Sequence, residues 1–438
     1  MTSKDNKDKQ EFIKFFQNRE YLERAVEISS YRGYDNFLNY YLCEKTDPIK
    51  YLKIRLKAKL AKKEDYSEVI SALLQEIETK DYVCVVSPFY KDKKLDGYYK
   101  RIQQADEEIL NDYKKIYLDH TELGNRKFTI QHYDEQHIVI KYNSFNDAHL
   151  EAIKMITQAI RKIYIHSVHV LMPDIVDYRL LDILFSENNK TVLDLHGAVS
   201  EELKQFDTEN RAKMAEFIEE LAMSLSDKIV CMSQAMADYY NNKFGIPKDK
   251  LISLSILPFK GDDPSLDKSK HDRPVVVYAG GVQKWQNIDL IKEAIKQNQD
   301  KFSFRIFTHN PQQLQQDWKD MQSDHLLIDS RSNEEIYKEY LDCDFGFLLR
   351  DDTIVNNVAC PTKMMEYLRF GIVPILKSDH IGNFREYGLK YVSIEDFNRG
   401  IVPDAEERKK IVLSNLKIMQ KITDQSNQGL KEIIEYLK

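Results

Sequence analysis

The chain has 438 residues, of which 42% are hydrophobic and 31% charged, and its formal net charge at pH 7 is −7. This length allows two domains with full hydrophobic cores. The small net charge argues against a dedicated nucleic-acid binder. No segment approaches the roughly 20 apolar residues of a transmembrane helix. The five cysteines are scattered without metal-ligand spacing, and the first residues form no apolar signal region, so we expect reduced thiols and a cytoplasmic location.

Residues 1–78 show no convincing strand pattern and predict a helical appendage. Within it, residues 50–63 hold seven basic and no acidic side chains, and Leu52, Leu56 and Leu60 share one helical face. A basic amphipathic helix of this kind can rest peripherally on the anionic inner face of a membrane. The more ordinary interpretation, which we favour on the sequence, is a helix packed on its leucines with its lysines in water.

The α/β part of the chain begins with an apolar strand at Tyr82–Val86. Helical patterns, notably Ala148–Lys162, fall between several further strand candidates, which are Lys115–Leu118, Ile138–Tyr142, Ile163–Val170 and Val192–Leu195. Strands that alternate with helices predict a parallel sheet with right-handed crossovers.

The strand that ends at Leu195 leads directly into His196 and Gly197. In a parallel sheet this position lies at the carboxyl edge, where ligands bind. Glu201 and Glu202 follow at the start of a helix, where acidic side chains are favourable. His196 is either a ligand contact or a histidine bonded within its own loop, and we favour the ligand contact.

The next predicted elements are a strand at Lys228–Met232, a helix capped by Ser233, and a short strand at Leu251–Ile256. The polar, turn-rich stretch Pro258–Pro274 then predicts a domain boundary. We therefore expect an N-terminal domain over residues 79–258 and a second domain over residues 259–423.

The second domain opens with a strand, the pair Gly280-Gly281 and a helix. Two glycines let the backbone approach a ligand closely. The alternation of strands and helices continues with Phe304–Thr308, Leu326–Ile328 and the helix Asn333–Leu341.

The segment Cys360–Leu376 is the most informative stretch of the sequence. The apolar run Phe345–Leu349 before it predicts a buried strand, and Val373–Leu376 predicts the next one. Between them, Pro361 suits the first turn of a helix, because its φ is fixed and its missing N–H costs nothing there. Gly371 sits where that helix should end. The unit is therefore strand, loop, short helix, strand.

In this unit the helix start lies at the carboxyl edge of the sheet, and the free N–H groups of its first turn favour an anion. Lys363 falls in the first turn and Glu366 one turn later on the same face. A phosphate near Lys363 and a sugar hydroxyl near Glu366 would use both side chains. The alternative is a surface Lys–Glu pair worth a few tenths of a kcal/mol. Because Pro361, Gly371 and Pro374 are all in register, we favour the functional interpretation.

This arrangement resembles the nucleotide-sugar-binding element of GT-B glycosyltransferases, especially glycosyltransferase family 4 and its relatives. The residues that carry the resemblance are Cys360-Pro361-Thr362-Lys363, Glu366-Tyr367-Leu368, Gly371 and Val373-Pro374-Ile375. The resemblance implies that Glu366 contacts the donor ribose and belongs to the catalytic set. It also implies that the loop and helix start, Ala359 through Lys363, hold the diphosphate, with Pro361, Thr362 and Lys363 as donor-binding residues.

The resemblance extends into the first domain. Asp194–Glu202 is similar to the family string D-x-H-G-x-x-P-E-E, with Ser200 where proline is common. It implies that His196 is catalytic and lies near the transferred sugar. The segment around Met232 and Ser233 is similar to a family string that is mainly architectural, so Ser233 is interpreted as a helix cap rather than a catalyst.

The Gly280-Gly281 loop is similar to a family loop that supplies an arginine and a lysine to the donor diphosphate. Lys284 matches the lysine, whereas Val282 stands in place of the arginine. We therefore expect Arg350, at the end of the strand before the loop, to replace that arginine. The resemblance also places Asp329–Ser332 against the nucleobase.

The resemblance implies an α/β protein of the GT-B class, with two Rossmann-like domains facing a cleft, the N-terminal helical appendage, and residues 424–438 packing back on the first domain. The implied reaction is of the hexosyltransferase type. A sugar passes from a nucleotide-diphosphate donor to a glycan, lipid-linked or protein acceptor, as in polysaccharide biosynthesis. Among the possible donors, we expect a UDP-sugar first. The resemblance also implies retention of the anomeric configuration, and we expect no cofactor. We expect no metal, because Lys284, Arg350, Lys363 and the helix dipole at Pro361 neutralise the leaving group.

One departure from the family bears on catalysis. The family has two glutamates at a fixed spacing, and the residue at that spacing before Glu366 is Val358. Either Asn357 or Asn356 takes the place of the first glutamate toward the donor sugar, or catalysis is lost. Two alternatives therefore stay open. One is a non-catalytic GT-B accessory subunit of another glycosyltransferase, which Val358 favours, and the other is a nucleotide-sugar epimerase, for which no acid–base set is evident.

Overall fold

The computed structural model describes residues 66–93, 97–120, 127–172, 176–177, 179–255, 268, 271–321 and 323–438. The helices predicted before residue 66, including the basic segment 50–63, lie outside these residues, so a peripheral membrane contact there stays a prediction. No helix in the described part of the chain is both long enough and apolar enough to cross a membrane.

The chain divides into two compact units, each with its own sheet. The first unit takes the described residues up to Cys231 together with Tyr240–Ile252 and Leu430–Lys438. The second takes Met232–Tyr239 and Ser253–Gly429. The domain limits expected at residues 78, 258 and 423 stay a prediction.

The first sheet is formed by β1 (Tyr82–Val86), β2 (Lys114–Asp119), β3 (Thr129–His132), β4 (His137–Lys141), β5 (Lys162–His166), β6 (Lys190–Asp194), β7 (Lys228–Cys231) and β8 (Leu251–Ser253). Their order across the sheet is β3-β4-β2-β1-β5-β6-β7-β8. β3 runs antiparallel to β4, and the pairs from β4 to β7 are parallel. β1 is buried along its whole length, as its apolar sequence YVCVV requires of a central parallel strand.

The helices in this part of the chain are α1 (Ser67–Ile77), α2 (Gly97–Gln104), α3 (Asp147–Ile160), α4 (Arg179–Leu184), α5 (Val199–Phe206), α6 (Glu209–Leu225) and α7 (Gln234–Phe244). α3 shows how local sequence sets these elements. The Asn146 side chain accepts hydrogen bonds from the first N–H groups of the helix, and buried Leu150, Ile153 and Ile156 recur at helical spacing.

The strands predicted in this region are confirmed, with differences at their ends. The strand predicted to reach Val170 ends at His166, because Ser167 adopts a φ of 68° and a 3₁₀ turn follows at Val168–Leu171. β8 ends at Ser253, short of the predicted Ile256. β3 has no counterpart among the predicted strands, since its side chains are mostly exposed and form no apolar run.

The second sheet is formed by β9 (Val275–Ala279), β10 (Ser303–Phe307), β11 (Leu326–Asp329), β12 (Phe345–Leu348), β13 (Val373–Leu376) and β14 (Val392–Ser393). All its pairs are parallel, in the order β11-β10-β9-β12-β13-β14. Its helices are α8 (Ile288–Asn298), α9 (Pro311–Asp317), α10 (Asn333–Tyr340), α11 (Ile354–Asn357), α12 (Thr362–Arg369), α13 (Ile394–Asn398) and α14 (Ala405–Leu437). The predicted strand, loop, helix and strand around α12 are confirmed, with α11 as an additional turn in the loop.

The core of the second unit lies against this sheet and is rich in aromatic side chains, including Phe302, Phe304, Phe345, Phe347 and Phe397. The last residues of α14 are counted in the first unit, where Lys228 Nζ lies 2.8 Å from Glu432 Oε1 and Lys190 donates to the Tyr436 carbonyl at 3.0 Å.

Each sheet has a switch point, where chain order reverses between neighbouring strands. In the first sheet it lies between β1 and β5, and in the second between β9 and β12. In open parallel sheets, ligands bind outside the carboxyl ends of the strands at such a point. These two edges are therefore where functional side chains are expected.

Candidate functional site

The switch point of the second sheet brings together three chain segments from the sequence predictions. Gly280 follows β9, Arg350 follows β12 by two residues, and α12 begins at Thr362. The Gly280 N–H donates to the carbonyl of Phe307 in β10, which fixes the turn after β9.

The side chain of Lys363 lies across this edge. Its Nζ is 4.0 Å from the centroid of the Tyr278 ring and donates a 3.3 Å hydrogen bond to Gln286 Oε1. A Cβ at Gly280 would stand 2.5 Å from that Nζ. Gly280 is therefore needed to leave room for the lysine head group, and not for an unusual backbone angle.

The charge of Lys363 is poorly compensated by the protein. Burial, and then repulsion from Arg350, lower the pKa of Lys363 to about 7, with Glu366 acting in the opposite direction. Among the described residues, no carboxylate forms an ion pair with Lys363. A partly buried ammonium beside a guanidinium is stabilised by an anion, so this edge favours a negatively charged ligand.

The start of α12 adds a partial positive charge to the same edge. Pro361 is its N-cap residue, with φ −64° and ψ 127°, and no side chain of the described residues caps the helix. Its first N–H groups are thus directed outward, as in helix-terminal anion sites. Thr362 is the first helical residue.

The same helix is held against β12 by a close contact. A Cβ at Gly346 would lie 2.6 Å from the Tyr367 ring, so only glycine admits the ring there. The Tyr367 hydroxyl donates to the Phe347 carbonyl at 3.1 Å. This contact fixes α12, and with it the position of Lys363.

Glu366 is buried and faces α10. It accepts hydrogen bonds from the Tyr337 hydroxyl at 3.2 Å and from the Tyr340 hydroxyl at 3.4 Å. The carboxylate is thereby held in one orientation. The sequence predicted Glu366 but neither tyrosine, although their spacing of three places both on one face of α10.

The loop after β12 is braced by its own polar side chains. Asn356 donates to the Asp351 carbonyl at 2.9 Å, and its Oδ1 accepts from Arg350 at 3.3 Å. Asn357 donates to Asp352 at 2.9 Å, whereas its Oδ1 is buried and finds no partner among the described residues. The Asn356 side chain is therefore used within the loop, whereas Asn357 Oδ1 is a buried acceptor with no partner among the described residues.

Val358 takes no part in polar chemistry through its side chain, which is buried. Its carbonyl accepts a 2.6 Å hydrogen bond from Ser233 Oγ. Ser233 Oγ also accepts from the Met236 N–H at 3.0 Å, which confirms its predicted role as the cap of α7.

A second polar cluster lies at the switch point of the first sheet. His166 ends β5 and Asp194 ends β6, and the two residues are partners in the strand register. His166 Nδ1 lies 3.0 Å from His196 Nε2. Tyr98 flanks His196, with a distance of 4.7 Å between ring centroids.

Asp194 is fully buried and satisfied by the protein. Its two oxygens accept from Arg101 Nε at 3.1 and 3.0 Å, and Oδ2 also accepts from the Tyr164 hydroxyl at 2.7 Å. Burial raises the pKa of this carboxyl, but the charge and hydrogen bonds of Arg101 outweigh it and leave the pKa lowered. Asp194 is therefore ionised.

The two histidines of the cluster are neutral. Burial lowers the pKa of His166 to about 4 and that of His196 well below its ordinary value. Ligand atoms of His166, Asp194 and His196 lie within 4.8 Å of one another, a spacing that a metal ion can use. Because Asp194 already accepts from Arg101 and Tyr164, and because the guanidinium repels a cation, we assign a hydrogen-bond network here.

The start of α5, after His196 and Gly197, is built differently from the family string. Ser200 takes the place of proline, and the buried Glu219 accepts from its N–H at 3.1 Å and from its hydroxyl at 2.5 Å. Tyr240 donates to the same carboxylate at 2.9 Å. The hydrogen bonds between Ser200 and Glu219 order the start of α5, which a proline at position 200 would instead make rigid.

No family model matches the chain, and no curated protein matches it. Solved structures do. HepE from Anabaena, in complex with UDP and glucose, is 12% identical with a TM-score of 0.55, and the match covers 79% of this chain and 97% of that one. An α,α-trehalose-phosphate synthase (UDP-forming) from Burkholderia xenovorans, in complex with glucose-6-phosphate, is 11% identical with a TM-score of 0.52, covering 82% and 100%.

A third similar structure is an E. coli trehalose-6-phosphate protein bound with UDP-2-fluoro glucose. It is 12% identical with a TM-score of 0.51, and the match covers 81% of this chain and 99% of that one. The chain has the GT-B fold. The predicted fold is thereby confirmed, whereas membership of family 4 stays a prediction at these identities.

Within the GT-B fold, the predicted donor residues fall into two groups. The structure gathers Gly280, Arg350, Asn357 and Lys363 at one sheet edge, with Pro361 and Thr362 at the helix start. Gly281 belongs to the same turn, since its carbonyl accepts from the Tyr278 hydroxyl at 2.5 Å. Lys284 opens the following 3₁₀ turn, but its side chain lies outside the described atoms. His196 belongs to the first unit.

Proposed function

We propose that this chain is a glycosyltransferase that takes a sugar from a nucleotide-diphosphate donor. One observation carries the proposal: Lys363, with no carboxylate paired to it among the described residues, is repelled by the charge of Arg350 and lies in the first turn of α12, at the switch point of a Rossmann-like sheet. A diphosphate supplies the anion that this arrangement favours.

In the proposed reaction, the bond between the anomeric carbon and the diphosphate oxygen breaks, and its electron pair leaves with the diphosphate. The oxygen of the acceptor hydroxyl forms the new bond to the anomeric carbon, and its proton passes to the leaving diphosphate oxygen. Lys363, Arg350 and the first N–H groups of α12 stabilise the charge that grows on the leaving diphosphate. We propose that Lys284 adds a further positive charge and that the reaction needs no metal.

Other residues bind the donor away from the leaving group. Glu366, held by Tyr337 and Tyr340, accepts hydrogen bonds from ribose hydroxyls. The unpartnered Oδ1 of Asn357 accepts from a hydroxyl of the donor sugar. Retention of the anomeric configuration is proposed by family resemblance alone.

UDP-sugars are the donors to test first, because two of the similar structures contain UDP or a UDP-sugar. A binding screen would measure the thermal unfolding midpoint with UDP-, GDP- and CDP-sugars, since a ligand that binds only the folded state raises it. The proposal expects a rise with at least one of them and slow release of the nucleoside diphosphate.

The decisive variant is Lys363→Ala, with Lys319→Ala as its control, since Lys319 is an exposed lysine of the same unit. We expect Lys363→Ala to lower donor affinity at least about tenfold, the worth of one charge-assisted hydrogen bond. Lys319→Ala should bind normally. Equal affinity in both variants, with both folded, would show that the diphosphate does not bind at this edge.

The second candidate is a non-catalytic subunit that binds the donor without turning it over. Val358 favours it, because the residue that stands in place of the family glutamate is apolar and buried. The two functions separate in one experiment. A subunit of this kind binds the nucleotide sugar but releases no nucleoside diphosphate in the presence of acceptor extracts, whereas a transferase does both.

A further inference from the structure

His166 lies at the switch point of the first sheet, directly behind His196. We propose that His166 is a positioning residue that fixes the tautomer of His196, so that His196 offers its Nδ1–H as a hydrogen-bond donor to an oxygen of the sugar substrate. This inference rests on the proposed function and on the predicted contact of His196 with the transferred sugar. It assigns His196 one role, that of hydrogen-bond donor and not of proton-accepting base.

The first step concerns the proton between the two rings. His166 Nδ1 and His196 Nε2 are 3.0 Å apart, which is hydrogen-bond distance. Each neutral imidazole carries one N–H, so one of the two facing nitrogens donates and the other accepts. Either His166 donates through Nδ1–H and His196 carries its proton on Nδ1, or His196 donates through Nε2–H and His166 carries its proton on Nε2.

Asp194 decides between these two arrangements. Its Oδ2 lies 3.7 Å from His166 Nδ1. The carboxylate is ionised and held in place by Arg101 and Tyr164, so it attracts a proton on His166 Nδ1 and repels a bare lone pair there. His166 is therefore the donor toward His196.

Desolvation supports the same arrangement. His166 Nε2 and His196 Nδ1 are both buried atoms without a hydrogen-bond partner among the described residues. His166 is fully buried, whereas His196 is only partly so. An unpartnered N–H is costly where nothing can reach it. Placing the N–H on His196 leaves His166 with only an unfilled acceptor and gives the unpartnered donor to His196, the less buried of the two residues.

The geometry also fixes the direction of that donor. The two imidazole rings are nearly perpendicular, at 77°, and Tyr98 packs on the other side of His196. The His196 ring cannot turn over without losing the bond to His166. The N–H is thus held ready for a hydroxyl or phosphate oxygen of a sugar, which is the kind of preorganised contact that favours catalysis.

The tautomer is tested directly by NMR on protein labelled with ¹⁵N-histidine. Long-range proton–nitrogen correlations show which ring nitrogen carries the hydrogen, and the His196→Phe variant identifies the His196 signals. We expect the proton of His196 on Nδ1. A proton on Nε2 would overturn the inference. This measurement needs no activity, so it stands even where the proposed transferase reaction fails.

A variant series tests the role of His166. In His166→Asn the side-chain amide can stand near the former Nδ1 and still donate to His196, whereas in His166→Gln it stands near the former Nε2. We expect the asparagine variant to stay close to wild type in kcat, and the glutamine variant to lose about tenfold in kcat with a smaller change in donor KM.

Circular dichroism and thermal unfolding confirm that each variant is folded. Equal losses of kcat in folded His166→Asn and folded His166→Gln would show that residue 166 matters for packing alone, and would overturn the inference. Unchanged kcat in folded His166→Gln would overturn it as well.

Discussion

The ammonium of Lys363 lies 4.0 Å from the centroid of the Tyr278 ring, directly above the position that a side chain at Gly280 would fill. This contact explains how one lysine is kept at a sheet edge where no carboxylate in the described part of the chain pairs with it. The ring face stabilises the cation weakly, while burial, and then repulsion from Arg350, keep the pKa of Lys363 low. The remaining charge is available to a ligand.

Donor binding should take up a proton. The pKa of Lys363 is about 7 in the protein, so the amine loses its charge as pH rises above that value. A bound diphosphate favours the charged form and raises this pKa. Affinity for the nucleoside diphosphate should therefore fall as pH rises from 7 toward about 9, by up to about tenfold per unit.

Calorimetry in buffers of different ionisation enthalpy measures that proton uptake. Lys363→Arg is the matched control, because arginine keeps its charge across this range and should bind without the pH dependence. An affinity that stays constant from pH 7 to about 9 in the wild type would contradict the linkage.

Gly280→Ala should weaken donor binding with little loss of stability. The new methyl group would stand 2.5 Å from Lys363 Nζ and 3.2 Å from the Tyr278 hydroxyl. The lysine end is flexible and can move away, so the fold tolerates the change while the cation leaves its position. We expect an affinity loss of about tenfold. Gly97→Ala is the control, since no described atom lies within 4 Å of its added Cβ.

Lys268 should stabilise the second unit. Its Nζ donates to the carbonyls of Tyr340 and Phe370, at the ends of α10 and α12, at 3.2 and 2.5 Å. Lys268→Met leaves both carbonyls without this donor and should lower the free energy of unfolding by about 1–3 kcal/mol. Thermal unfolding measures the change, and an unaltered midpoint would contradict it.

The same lysine predicts a pH effect of known sign. Burial lowers the pKa of Lys268 from 10.5 to about 8 in the folded chain, so the unfolded chain binds more protons between these values. Stability contributed by Lys268 therefore rises with pH from 8 to 10.5. The difference in free energy of unfolding between wild type and Lys268→Met should therefore widen from pH 8 to 10.5. A narrowing difference would mean that the amine is not desolvated.

The sequence predicts much of the second sheet and its edge because the relevant signals are local. Pro361, Lys363 and Gly371 lie within one helix and its ends, and their spacing alone sets strand, helix and strand. The role of Tyr278 was not predictable in this way, since its contact with Lys363 joins residues far apart in the chain. It depends on β9 and β12 being neighbours, which the sequence pattern does not state.

His166 was missed for a related reason. As a residue at the end of an apolar run it looks like part of a longer strand, and the predicted strand continued to Val170. The structure ends the strand at His166 and pairs it with Asp194, which places a carboxylate beside the imidazole. The signal was a histidine at a carboxyl edge, the same reasoning that selected His196. Only the strand register shows that the two belong to one cluster.

The hydrogen bond from Tyr337 to Glu366 Oε1, at 3.2 Å, makes a prediction about ribose recognition. If Glu366 accepts from ribose hydroxyls, wild type should prefer UDP over 2′,3′-dideoxy-UDP, and Glu366→Gln should lose most of that preference, because an amide accepts less strongly than a carboxylate. Tyr337→Phe removes one hydrogen bond that orients the carboxylate. This variant should lose part of the preference for UDP, by about 0.5–1.5 kcal/mol. Competition binding with the two nucleotides gives the preference of each variant. Equal preference in wild type and Glu366→Gln would mean that the carboxylate serves α10 and not the ribose, since Tyr337 and Tyr340 already satisfy both of its oxygens.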